Sequence, residues 1–121
     1  MPMAPEALCR VATDALEARK LAGVTVLDVS SLTDVCDYMV IASGRSRRQV
    51  ITAAEHVVEK AKAAGQRPLG VEGMREGEWV LVDLCDVVVH VMTPGARELY
   101  QLEKLWTPRS RPASTSGEAA G

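Results

Sequence analysis

Residues 78–92, EWVLVDLCDVVVHVM, read as two short strands joined by a tight turn, and their alternation decides the fold. Side chains on a strand point alternately to opposite faces. With Leu84 and Cys85 at the turn, one face of the hairpin collects Val80, Val82, Leu84, Val87, Val89 and Val91. The other collects Trp79, Leu81, Asp83, Asp86, Val88, His90 and Met92. The first set is plain core. The second mixes an aromatic, an imidazole, carboxylates and aliphatics, and so suits a contact surface at least as well as a core. That turn predicts Asp83 opposite Asp86, Leu81 opposite Val88 and Trp79 opposite His90. Leu-Cys is poor chemistry for a type I′ turn, which needs positive φ at both central residues. A slip of one residue would exchange the two faces.

Outward from the hairpin, the elements are marked by periodicity and caps. Residues 5–22 carry Leu8, Val11, Ala12, Ala15 and Leu16 at helical spacing, with Pro5 suited to the first turn and Gly23 to the end. Residues 24–29 and 38–42 are short β-rich runs, the second apolar throughout, as expected of a strand buried on both sides. Residues 46–64 form the clearest helix: Ser46 and Gln49 have capping-box spacing, Val50, Ala53, Ala54, Val57, Val58 and Ala61 make the stripe, and Gly65 closes it. A further extended piece is expected at 67–71. Thr93-Pro94 then opens a last helix running to about Leu105, docked by Leu99, Leu102 and Leu105 and closed by Trp106. The expected fold is α/β, a mixed sheet of about five strands flanked by helices. The helix at 46–64 is long enough to cross between parallel neighbouring strands. Residues 1–107 form the domain, and residues 108–121, rich in Ser, Ala, Gly and Pro, form a disordered tail.

Composition excludes several classes of function. At 121 residues with 47% apolar residues the chain can bury a core. A net charge of −2 argues against coating nucleic acid by charge alone. Three well-separated cysteines, Cys9, Cys36 and Cys85, suit a reducing cytoplasm, and no apolar run approaches a membrane span.

Candidate chemistry is sparse. Asp83 and Asp86 could hold a cation, but aspartates at such positions more often accept turn amides. His90 lacks a spaced nucleophile and acid, so catalysis on this strand has no support. Gly44-Arg45-Ser46-Arg47-Arg48 stands where a strand hands over to a helix, which makes Arg45, Arg47 and Arg48 candidate anion contacts. The motif is not a phosphate loop, and solvated arginines on a turn are the plainer reading. His56 falls on the polar face of its helix with no role assigned. Arg97 and Tyr100, three apart, share one stripe of the last helix and are residue types favoured at interfaces.

Several of these stretches resemble the ribosomal silencing factor (Iojap-like) family. They are Thr33-Asp34 with Asp37-Tyr38, IASGRSRRQV at 41–50, VEG at 71–73, WVLVDLCDVVVHV at 79–91 and RELYQLEKLW at 97–106. The resemblance spans roughly residues 5–107. It implies a fold similar to the nucleotidyltransferase α/β fold without that activity, and no cofactor or metal. It also implies binding to the large ribosomal subunit through ribosomal protein fourteen, which blocks subunit joining and represses translation when nutrients are scarce. The residues it assigns to that surface are Trp79, Leu81, Asp83, Val88, His90, Arg97 and Tyr100. A minor contact with ribosomal RNA and a homodimer of the free protein are further expectations. The competing reading is a nucleotidyltransferase-like enzyme acting on nucleotide or RNA. It would need a Gly-Ser turn followed closely by Asp-x-Asp, and after Ser46 the next acids are Glu55 and Glu59, both within a helix. Cys85 departs from the Gly common in the family's D-x-G-D tip, and it bears the steric penalty of positive φ there.

Overall fold

The computed structural model describes residues 3–101. The elements are α1 (Pro5–Ala18), β1 (Ala22–Asp28), β2 (Tyr38–Ser43), α2 (Arg47–Ala63), β3 (Gly70–Glu72), β4 (Trp79–Asp83), β5 (Val87–Met92) and α3 (Pro94–Tyr100). Among the described residues they build a five-stranded sheet ordered β1-β2-β5-β4-β3. Only the β2–β5 pair is parallel; β1–β2, β5–β4 and β4–β3 are antiparallel. The expected mixed α/β sheet is therefore present, but the crossover differs from expectation. β3 runs parallel to β2 with β5 and β4 lying between them, so α2 carries the chain across the sheet to its far edge.

The helices end for identifiable reasons. α1 stops at Ala18 rather than at residue 22, and Gly23 lies inside β1. Lys20 takes φ +61, Leu21 N–H donates to Leu16 O (3.2 Å) and Lys20 N–H to Glu17 O (2.9 Å). This is a Schellman closure with lysine in the left-handed position, and the buried Leu21 anchors it. α2 closes identically through Gly65, at φ +95. At its start Ser46 Oγ accepts from Gln49 N–H (3.1 Å), but the Gln49 side chain reaches one residue further back than a capping box requires. Gln49 Oε1 accepts from Arg45 N–H (2.6 Å), and Nε2 donates to Arg19 O (3.2 Å). One amide thus ties the start of α2 to the end of α1.

α1 and α2 cover one face of the sheet. Leu8, Ala12, Ala15 and Leu16 of α1 and Val50, Ala53, Ala54, Val57 and Ala61 of α2 bury Val40, Val80, Val82, Val89 and Val91 beneath them. His56 Nδ1 lies 3.0 Å from Ala15 O, so this residue, given no role from sequence, links the two helices. The opposite face is covered less. A second cluster there contains Val29, Cys36, Met39, Ile41, Val88, Met92 and Ala96, with Leu27, Trp79 and Leu81 packed against it. Its cover is the seven-residue α3 and the loop between β1 and β2. β3 is shorter than expected, Gly70–Glu72 rather than 67–71. α3 ends at Tyr100, where Gln101 takes φ +50. The expected continuation to Leu105, with Leu102 and Trp106, and the tail at 108–121 lie outside the described residues. Leu99 does not dock the helix, being 75% exposed. No described helix is long and apolar enough to cross a membrane.

The hairpin turns one residue later than expected. Leu84 N–H donates to Val87 O (2.9 Å), which puts Cys85 and Asp86 at the centre of the turn. Cys85 has φ +79 while Asp86 does not have positive φ, the pattern of a type II′ rather than a type I′ turn. Burial explains the choice, because Leu84 and Val87 are both fully enclosed and a turn centred on Leu84 would expose it. Pairing moves by two, to Trp79↔Met92, Leu81↔His90 and Asp83↔Val88, and a shift of two leaves both faces intact.

Two positions of positive φ yield opposite expectations for stability. Gly73 (φ +88) lies so close to the Trp79 carbonyl that a Cβ would collide with it. Gly73→Ala should destabilise the fold by at least about 1–2 kcal/mol, the penalty of the left-handed region alone. Cys85→Gly should raise stability by up to about 1 kcal/mol by removing that penalty from the turn. Urea unfolding of both variants checks the signs, and a loss at position 85 would mean that the turn is assigned wrongly.

Candidate functional site

The register sorts the less covered face into rows across the sheet. Thr25, Ile41, His90, Leu81 and Glu72 form one row; Leu27, Met39, Val88, Asp83 and Gly70 the next; Ser43, Met92 and Trp79 a third. Trp79 is therefore diagonal to His90 rather than opposite it, still within reach for an aromatic side chain. Its indole Nε1–H donates to His90 Nδ1 at 2.9 Å, with ring centroids 5.9 Å apart and planes tilted 42°. On its other side Trp79 meets Tyr100 of α3, at a centroid separation of 4.5 Å and a tilt of 43°. Such tilted pairs contribute about 0.5–1.5 kcal/mol beyond burial.

His90 is 5% exposed, and desolvation lowers its pKa to about 4. An indole N–H can only donate, so His90 Nδ1 must accept and its proton resides on Nε2. The residue is thus neutral at physiological pH and serves to orient Trp79. Val88, at 8%, is also beneath the surface. Together they form the floor of a patch whose accessible parts are Trp79, Leu81 and Asp83 of β4 and Leu99 and Tyr100 of α3, the last 50% exposed.

Asp83 and Asp86 are not opposed, because the two-residue shift places Asp83 across from Val88. Asp83 Oδ1 accepts the Cys85 amide (2.9 Å), and the Asp86 carbonyl accepts from Asp37 N–H (2.8 Å) and Tyr38 N–H (3.1 Å), which stitches the turn to the start of β2. Among the described residues no group of three or more His, Cys, Asp or Glu side chains could hold a metal ion.

Arg97 and Tyr100 leave α3 in different directions. Arg97 Nη1 donates to Ser43 Oγ (3.0 Å) and Nη2 to Thr25 Oγ1 (3.1 Å), so the guanidinium crosses β1 and β2 and pins the helix to the sheet. Gly23 makes room for it, since a Cβ there would come within 2.7 Å of Nη1. Ser43, Thr25 and Gly23 are the partners that sequence reasoning missed, and an arginine's need for acceptors was the available signal. Arg45, Arg47 and Arg48 lie at the end of the sheet where β2 enters α2 and form no hydrogen bond or ion pair with the patch residues named above. Arg47 is paired there with Glu78 at 2.9 Å, across side chains 66% and 55% exposed.

Comparison with known proteins gives a consistent result. A family model described as ribosomal silencing factor during starvation matches residues 2–120. A relative named ribosomal silencing factor RsfS, from Chromobacterium violaceum, is 46% identical over 99 residues, covering 82% of this chain and 81% of the relative. A crystal structure of a protein from that organism superposes with a TM-score of 0.86 at 42% identity, covering 98% of this chain and 97% of the other. A mouse protein named mitochondrial assembly of ribosomal large subunit protein 1 is 37% identical over 90 residues, 72% of this chain and 40% of the relative.

The lowered pKa of His90 gives the stability a definite pH dependence. Between 6.5, its unfolded value, and about 4, its folded value, the unfolded chain binds the extra proton. The stabilisation from neutral His90 should be complete above pH 6.5 and fall by up to about 1.4 kcal/mol per pH unit on acidification through that window. Denaturant unfolding from pH 7 to pH 4, compared with His90→Gln, measures it. The variant should lose most of the slope, because a Gln carbonyl accepts the indole N–H without titrating.

Proposed function

The chain belongs to the ribosomal silencing factor family, and from that membership we propose that it represses translation by occupying the large ribosomal subunit and blocking its union with the small one. The partner is ribosomal protein fourteen on the intersubunit face. The mechanism is steric and needs no cofactor. Support comes from one observation above all: Trp79 is held by His90 beneath it and Tyr100 beside it, partly buried on the less covered sheet face. Aromatic side chains immobilised before binding lose little entropy on docking, the usual character of an interface hot spot.

Leu81 and Leu99 extend the apolar centre, and Asp83 supplies a carboxylate at the rim for a basic partner. The mildly acidic chain, at net charge −2, complements a basic ribosomal protein. The mouse relative's name, which refers to assembly of the mitochondrial large subunit, agrees with the choice of subunit. Transfer of nucleotides has no counterpart in the residues, since no Asp-x-Asp pair follows Gly44 and Ser46 at short spacing.

Leu99→Glu and Leu81→Glu test the patch without emptying the core. Each should weaken binding to purified large subunits tenfold or more, about 1.4 kcal/mol per decade. The unfolding midpoint should stay unchanged for the exposed Leu99→Glu and fall for Leu81→Glu, because Leu81 packs against the second cluster. The wild-type protein added to separated subunits should reduce the full-ribosome peak in a sucrose gradient. Undiminished joining at saturating protein would overturn the reading.

A further inference from the structure

We propose that Arg19, Lys20, Arg45 and Arg48 form a single cationic corner that grips the phosphodiester backbone of ribosomal RNA beside the Trp79 patch. This rests on the docking of Trp79 and Tyr100 on the large subunit and adds a second class of contact to it. In sequence the four residues fall in two groups, 19–20 and 45–48, more than twenty positions apart. Folding joins the groups through Gln49, which accepts from Arg45 N–H at 2.6 Å and donates to Arg19 O at 3.2 Å. Leu21 and Gly44 are in contact behind them, since a Cβ on Gly44 would meet Leu21 Cδ1 at 3.3 Å.

All four side chains are exposed, and none has an ion-pair partner among the described residues. Arg47 is excluded from the set because Glu78 already neutralises it at 2.9 Å. Glu55 and Glu59, which line the same cleft as Arg19 together with Lys62, are the acids facing the group from α2. Four cations, with Lys62 beyond them, against two carboxylates leave this corner net positive on a chain whose overall charge is −2. Such local excess is what phosphate contacts need, whatever the global charge.

Position favours RNA over a second protein surface. Gly44 N–H donates to Met92 O (2.9 Å), and Met92 pairs with Trp79, so the corner and the docking patch share one end of the sheet. Two strand spacings, about 10 Å, separate the backbone of Trp79 from that of Gly44. A partner that seats Trp79 and Tyr100 and extends past this end of the sheet reaches the corner, and on a ribosomal subunit the material flanking a protein is largely RNA. Exposed arginine and lysine side chains on a turn can follow phosphates without reading bases.

Salt dependence separates this contact from the apolar one. Arg45→Gln combined with Arg48→Gln should flatten the plot of log binding constant for large subunits against log salt by roughly 1.5, about 0.7–0.9 for each phosphate contact removed. The deficit relative to wild type should accordingly shrink roughly tenfold between 50 and 200 mM salt. Tyr100→Ala should instead give a line parallel to wild type and lower. A photoreactive amino acid introduced at position 48 should crosslink to large-subunit RNA. A double variant whose line matches wild type in height and slope, or crosslinking to protein alone, would overturn the proposal and leave the apolar docking standing. A loss with the arginine pair but none with Tyr100→Ala would instead remove the patch and keep the corner.

Discussion

Complete burial of β5 is the constraint from which the rest of the molecule follows. All six of its residues, Val87 to Met92, are enclosed, three facing each side of the sheet. A strand flanked by neighbours on both edges and buried on both faces demands a layer above and a layer below. α1 and α2 meet that demand on the side of Val87, Val89 and Val91. On the side of Val88, His90 and Met92 the chain supplies only α3 and the β1–β2 loop. The second layer is thin, and the patch around Trp79 lies at its margin.

His90 shows how a polar group is tolerated in that layer. An imidazole without a partner in such a site would carry a desolvation penalty of about 1–3 kcal/mol. Trp79 supplies the N–H that satisfies its Nδ1, at 2.9 Å, and the same bond fixes the indole plane against which Tyr100 rests. Arg97 then secures α3 from the other side through Ser43 and Thr25. Side chains from β4, β5, α3 and β2 thus hold one another, so the patch proposed for docking has a fixed geometry of its own. Preorganisation of this kind lets a small surface reach useful affinity.

The division of the hairpin into two faces was legible because alternation depends only on parity. The register was not, because parity is unchanged by a shift of two, and the burial of Leu84 that places the turn is a property of the assembled core. The stripes of α1 and α2 were legible for a similar reason, being set by helical period. The end of α1 was not, since Lys20 in a left-handed conformation is stabilised by Leu21 packing rather than announced by glycine. Arg97 shows the same limit at the site. Its place on the helix face was readable, while its commitment to Thr25 and Ser43 depends on strands more than fifty residues away in sequence.

The sequence by itself determined the binary pattern, the caps at Ser46 and Thr93, the likeness to a family, and the separation of Trp79, Leu81, Asp83, Val88 and His90 from the valines behind them. Local periodicity and local hydrogen bonding are enough for that much. Tertiary structure alone decided that β2 pairs with β5 rather than β3, that Trp79 meets His90 diagonally, and that Gln49 ties the Arg19 carbonyl to the Arg45 amide. Each of these is a contact between distant segments. Its energy comes from burial and hydrogen bonding that exist only once the sheet has closed, so no window of sequence contains it.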